Sequence, residues 1–127
     1  MKTVEVVAAI IKQGNEIFAT CRGYGEFKDM WEFPGGKIES GETREEALVR
    51  EIKEELELDI HVSKYVTTID YDYPNFNLIM HCFLCDVCGG KIHLNVHNDA
   101  KWIPLNELDK LTWVPADILV MEELKKV

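Results

Sequence analysis

No apolar run in the chain approaches the roughly 20 residues that a bilayer-spanning helix needs. The longest N-terminal stretch, within "MKTVEVVAAIIKQGNEIF", is short, alternates with polar residues and lacks a small-residue cleavage site. It reads as a strand and not as a signal peptide, so the expected location is cytoplasmic, with no membrane partner. Positive charge is also scarce: 14 Lys and Arg stand against 23 Asp and Glu, a net charge of −9. Without a basic face to displace counterions, a nucleic-acid polymer is excluded as a general partner. A phosphate-bearing small molecule would need local cations or bound metal. Proline is limited to 4 residues, and neither a linker, an internal repeat nor a low-complexity tract interrupts the 127 residues, so a single domain over 1–127 is expected.

Cysteine is sparse as well, but three of the 4 fall in a C-x-x-C-x-x-C run, Cys82, Cys85 and Cys88. Such spacing suggests a metal or cluster site. The surrounding "NLIMHCFLCDVCGG" is strand-like, however, and residues three apart on a strand point to opposite faces. Cys82 and Cys88 would share one face and Cys85 the other, which favours buried or half-buried free thiols.

Residues 3–12 and 16–22 are rich in Val, Ile, Phe and Thr and flank "KQGNE", the pattern of two strands joined by a turn. Residues 23–42 read as a glycine-rich loop, too long to be filler. Thr43 with Glu46 forms a capping-box pattern, opening a helix expected to end near Leu56. Strand-like segments follow near 58–72, 76–88 and 90–94, then "AKWIPL" as a short strand. "LNELDKL" suggests a helical turn, and "PADILVMEELKK" a last helix with Pro115 in its first turn. This order implies a mixed sheet with helices on its faces, an α/β or α+β fold.

The helix carries the chemistry. At about 100° per residue, with Glu51 at zero, Glu54 falls at about −60° and Glu55 at about +40°. Leu48, Val49, Ile52 and Leu56 fall between about 60° and 160° and form the expected buried stripe. Glu57 lies farther round. A solvated acidic face, with Arg50 and Glu54 paired at i, i+4, is one reading. Against it, Glu51 and Glu55 are like charges at i, i+4, an arrangement that a hard divalent cation reverses in sign. With no His or Cys in the cluster, Mg²⁺ held with water and substrate phosphate is the natural ion, with Mn²⁺ as an alternative. The preceding "FPGGKIESGE" adds glycines for close backbone approach and Lys37 as a point charge for phosphate.

The stretch "GKIESGETREEALVREIKEELEL", residues 36–58, resembles the signature of the Nudix hydrolases, through Gly36, Glu42, Arg50, Glu51, Ile52, Glu54, Glu55 and Leu58. The signature's final Gly is Glu57 here. "VVAAIIKQGNEIFATCRG", "WEFPGGKIE", "AKWIPLNEL" and "WVPADILVMEEL" extend the similarity, in its MutT-like branch, over nearly the whole chain. The resemblance implies an α/β/α sandwich with a mixed sheet, and attack of water on a nucleoside diphosphate linked to another group. For the MutT-like branch the products are nucleoside monophosphate and pyrophosphate.

By the same resemblance, Glu51, Glu54, Glu55 and the Gly35 carbonyl hold divalent metal, Arg50 orients the carboxylates, and Glu51 or Glu54 is the base. Arg22 and Lys37 contact phosphate, although Arg22 also reads as a strand-end surface cation. Many relatives carry another glutamate six residues before the tryptophan of the last strand; counting back from Trp102 gives Val96. His97 or Asp99 could substitute, and a plain surface turn is the simpler reading of both.

The resemblance also places Asp117 at the position that contacts the base in MutT-like relatives. An ionised Asp accepts from the amino group of cytosine, and a protonated one also donates, which admits oxidised guanine; an early-turn helix role is the alternative. Trp31, Glu32, Phe33 and Phe76 complete a pocket, or belong to the core. The expected substrate is CTP, dCTP or a modified nucleotide including 8-oxo-dGTP. ADP-ribose, a dinucleoside polyphosphate, or binding with weak catalysis are the alternatives, in a monomer or homodimer.

Overall fold

The computed structural model describes residues 2–126. Its first strand, β1 (Lys2–Gln13), turns at Gly14, whose φ of 59° suits a residue without a Cβ, into β2 (Glu16–Arg22). The two strands pair only beside the turn, at Lys12 with Ile17 and Gln13 with Glu16, and then diverge. β1 continues parallel to β6 (Phe76–Gly90), which pairs antiparallel with β5 (Leu58–Asp72). β2 takes β3 (Trp31–Glu32) on one side and β7 (His97–Pro104) on the other. A short strand, β4 (Gly35–Lys37), lies antiparallel along β1. The sheet is therefore mixed, and the expected loop 23–42 contains two short strands that stitch it to the sheet.

Alternation along β1 builds two cores. Val7, Ala9 and Ile11 face helix α1 (Arg44–Leu56) and its Ala47, Leu48, Ile52 and Leu56. Ala8 and Ile10 face helix α2 (Pro115–Leu124) with Ala116, Val120 and Met121. Burying side chains on both faces is what an inner strand demands, and the near-continuous apolar run of β1 supplies it. Val49 departs from the expected stripe: it is 41% exposed, because the sheet contacts a narrower arc of α1 than the periodicity allows.

The capping box forms as read. The Glu46 N–H donates to Thr43 Oγ1 at 3.1 Å, and the Thr43 N–H donates to Glu46 Oε1 at 2.9 Å. The strand expected at 90–94 is absent. β6 runs on to Gly90, whose φ of 84° turns the chain away, and the segment that follows closes the C-terminus of α1. The His93 and Asn95 N–H groups donate to the carbonyls of Leu56 and Glu55, and Asn95 Nδ2 donates to that of Glu54. Carbonyls that a helix end leaves without partners are thereby satisfied. Cys82 and Cys85 are buried in opposite cores, as strand alternation requires, whereas Cys88 is exposed where β6 overruns the core. A 3₁₀ helix (Leu105–Lys110) leads to α2, which has Pro115 in its first turn.

Candidate active site

Arg50 is the hub of the acidic helix. Its Nε donates to Glu42 Oε2 at 2.6 Å and Nη2 donates to Glu42 Oε1 at 2.9 Å, a two-point grip that fits a planar guanidinium. Nη1 donates to Glu51 Oε1 at 3.0 Å and Glu54 Oε1 at 3.2 Å, and Nη2 also reaches the Lys37 carbonyl at 3.0 Å. One cation thus ties the start of α1, its middle and the end of β4 together. The hydrogen bonds to Glu42 raise the Arg50 pKa further and hold the Glu42 carboxyl below its usual range.

β4 brings the glycines to this helix. A Cβ on Gly36 would overlap the Glu51 carboxylate, and one on Gly35 would overlap the Val7 carbonyl. Only glycine allows β4 to lie between β1 and the carboxylates. Glu55 stands one helical turn from Glu51 and is not among the carboxylates that Arg50 holds. Burial first, then the charge of Glu51 and a hydrogen bond with it, push the Glu55 carboxyl up to about 8. Among the described residues its ion-pair partner is His97, with Nε2 at 3.8 Å; no Lys or Arg reaches it. His97 is not in a surface turn: its side chain is 6% exposed, with Nε2 also 3.8 Å from Glu32 Oε2. Burial, followed by the charge of Arg22, lowers the His97 pKa. Asp99, by contrast, is exposed and accepts from the Ala100 N–H.

Beside the glycines opens a cavity of about 290 Å³. Arg22, Glu32, Phe33, Phe76 and Asp117 line it, together with Phe27 and Tyr73. Arg22 Nε donates to Glu32 Oε1 at 3.0 Å, so Arg22, at the end of β2 with its side chain 42% exposed, is a surface cation held by an ion pair beside the cavity. Burial raises the Glu32 carboxyl against the pull of Arg22. Phe76 stacks on Tyr73 with centroids 5.1 Å apart, and Phe33 on Trp113 at 4.7 Å. Asp117 is buried on the first turn of α2, and its Oδ2 accepts the Phe33 N–H at 2.8 Å. Burial dominates and pushes its carboxyl up to about 8.

Two expected residues sit elsewhere. The Trp31 ring lies in the core, on the side of β3 away from Glu32, with Lys101 Nζ 5.2 Å from its centroid. Lys37 is exposed and reaches this network through its carbonyl. Tyr73 and Phe27 line the cavity without being among the residues expected there from the sequence. Tyr73 had a signal in the "YDYPNF" turn, and its hydroxyl accepts the Ala116 N–H at 3.1 Å, tying that turn to α2.

Residues 1–124 match the family model of the NUDIX domain. The chain belongs to that family. It is 32% identical over 123 residues to the CTP pyrophosphohydrolase of Escherichia coli K12, covering 96% of this chain and 91% of that one. It is 31% identical to the 8-oxo-dGTP diphosphatase of the same organism, with both chains covered fully. Among solved structures, the E. coli ORF135 protein superimposes with a TM-score of 0.86 at 32% identity, covering 99% of this chain and 91% of that one.

Nudix hydrolases generally use divalent metal ions. The donor set fits such an ion: carboxylate oxygens on one helix beside a glycine backbone, with Glu55 lacking an Arg or Lys partner among the described residues. Among the described residues no three His, Cys, Asp or Glu side chains form a closed ligand set; Arg50 gathers Glu51 and Glu54 instead.

Proposed function

We propose that this Nudix hydrolase is a Mg²⁺-dependent nucleoside triphosphate pyrophosphohydrolase, with Mn²⁺ an alternative ion. It converts CTP, dCTP or modified nucleotides including 8-oxo-dGTP to the monophosphate and pyrophosphate. The observation that carries the reading is the placement of Asp117 in a cavity that also borders Gly35 and Gly36. A base bound against Asp117 therefore directs its phosphates toward the carboxylate helix. The names of the two E. coli relatives support the same substrate class.

The cavity volume is near the lower end of the roughly 300–1,000 Å³ of small-molecule sites. Phe76, backed by Tyr73, offers a flat apolar face to a base, while Phe33, 3% exposed, stacks on Trp113 in the core beneath. Asp117 in its acid form keeps Oδ2 on the Phe33 N–H and leaves its second oxygen to donate. Cytosine presents a ring-nitrogen acceptor beside an amino donor, which suits that acid; the carbonyl oxygen of an oxidised purine suits its donor alone.

Arg22, at the cavity mouth, and Lys37 contact the phosphates. The Gly35 carbonyl, Glu51, Glu54 and Glu55 are the groups that hold a divalent ion, which when bound neutralises polyphosphate charge and activates the attacking water. Glu51 is wedged between Gly36 and Arg50 and is 15% exposed, whereas Glu54 is 57% exposed. Glu54 is thus the carboxylate with room to accept a proton from water, while Arg50 fixes its direction.

A pyrophosphate-release screen over normal and modified nucleotides with Mg²⁺, repeated with chelator and with Glu54→Gln, tests this. Release that depends on metal and on Glu54 is expected, strongest with cytosine nucleotides. Tight nucleotide binding without turnover of any substrate would overturn the hydrolytic reading.

A further inference from the structure

Between the carboxylate helix and the nucleotide cavity lies a second, smaller cavity of about 150 Å³, bordered by Arg22, Glu32, Gly35, Glu55 and His97. His97 is its unusual member. The side chain is 6% exposed, and its Nδ1 is buried without a hydrogen-bond partner among the described residues. Leaving a polar atom so placed is unfavourable, a state more readily retained where the group serves a purpose other than stability. The opposite ring atom, Nε2, stands 3.8 Å from a carboxylate oxygen of Glu55 and 3.8 Å from one of Glu32.

Those two separations are too long for hydrogen bonds. Two donors each about 2.1 Å from a shared ion stand about 3.0–3.5 Å apart, so roughly 0.3–0.8 Å of side-chain adjustment closes the gap. The two carboxylates are not equivalent. Glu32 is already held by Arg22 Nε at 3.0 Å, whereas Glu55 has no Lys or Arg partner among the described residues. We infer that His97 Nε2 and the Glu55 carboxylate form a nitrogen–oxygen ligand pair for a divalent cation, shifting the site's preference from Mg²⁺ toward Mn²⁺ or Co²⁺. An imidazole nitrogen adds little for Mg²⁺, which prefers oxygen, and more for a transition ion. The inference rests on the metal-dependent reading above and adds to it a ligand outside the acidic helix.

The test is the electron spin echo of Mn²⁺ bound to the full chain, in which a directly bound imidazole nitrogen appears as modulation, with parallel Mn²⁺ and Mg²⁺ binding measurements. Nitrogen modulation is expected in the wild type. His97→Gln should lose it and bind Mn²⁺ about 10-fold more weakly, with a smaller change for Mg²⁺. Mn²⁺ binding without nitrogen modulation, or modulation that persists in His97→Gln, overturns the role of His97 and leaves the metal-dependent reading standing. Failure of Mn²⁺ and Mg²⁺ to bind overturns both. If His97→Gln fails to fold by circular dichroism, the wild-type spectrum with nitrogen-15 histidine decides alone.

Discussion

Arg50 grips the Glu42 carboxylate with two parallel hydrogen bonds, 2.6 Å from Nε and 2.9 Å from Nη2, while its third nitrogen spans Glu51 and Glu54. A lysine ammonium keeps the charge but is a single point with no fork. Arg50→Lys is therefore expected to lower kcat about 10–100-fold, the usual cost of losing a group that orients metal-holding carboxylates. KM should move less, since Arg50 does not line the cavity that holds Asp117. Steady-state kinetics separates the two, and an unchanged kcat would remove Arg50 from the positioning role.

The four thiols should differ sharply in reactivity. Burial pushes Cys82 and Cys85 up to about 12 and raises Cys21 as well, while Cys88 is exposed. The thiolate is the reactive species. A disulfide reagent at pH 8 should titrate one thiol in the folded protein and all four in denaturant. Cys88→Ser should abolish the fast phase; three fast thiols would restore a clustered C-x-x-C-x-x-C site.

What was legible in the sequence was local. The Thr43–Glu46 cap and the period of α1 each need only neighbours along the chain, and both are in the structure, Val49 excepted. Loop 23–42 concealed β3 and β4 because such short strands have no period of their own; pairing with β2 and β1 defines them. That pairing also decides that Glu32 faces the cavity while Trp31 enters the core. His97 reads as part of a surface turn because the carboxylates its ring faces, Glu55 and Glu32, are 42 and 65 residues away in sequence. Asp117 similarly carries a helix-start signal, and only the contact with Phe33, across 84 residues, turns it into a buried carboxyl.

That buried carboxyl gives a pH signature. The folded pKa of Asp117 is raised to about 8 from an ordinary 3.8, chiefly by burial. Below pH 4 both folded and unfolded states hold the proton, so no stability difference arises. Between about 4 and 8 the unfolded chain releases it and the folded chain does not, so stability falls as pH rises. Asp117→Asn removes this term. Its Tm relative to wild type should therefore climb from pH 4 to pH 8 and then level off. Parallel Tm curves would show that Asp117 ionises normally in the fold.

Glu57 occupies the place of the signature's last glycine, and the backbone there explains why a glycine fits. It caps α1 with φ 55° and ψ 32°, a left-handed conformation, while its N–H donates to the Lys53 carbonyl at 3.0 Å. A side chain at that conformation costs about 1–2 kcal/mol. Glycine removes this strain but gives back about 0.4–1 kcal/mol through a freer unfolded chain. The Glu57 contact to His93 Nδ1, 3.3 Å between two exposed groups, offsets little. Glu57→Gly should thus stabilise the fold by roughly 0.5–1 kcal/mol, a rise in Tm of about 2–4 °C. Glu57 lines neither cavity and makes no bond to Arg50, so kcat should not change. A calorimetric scan paired with an activity assay checks both halves. A destabilised Glu57→Gly would show that the carboxylate holds the segment around His93 against the helix end more strongly than the strained backbone opposes it.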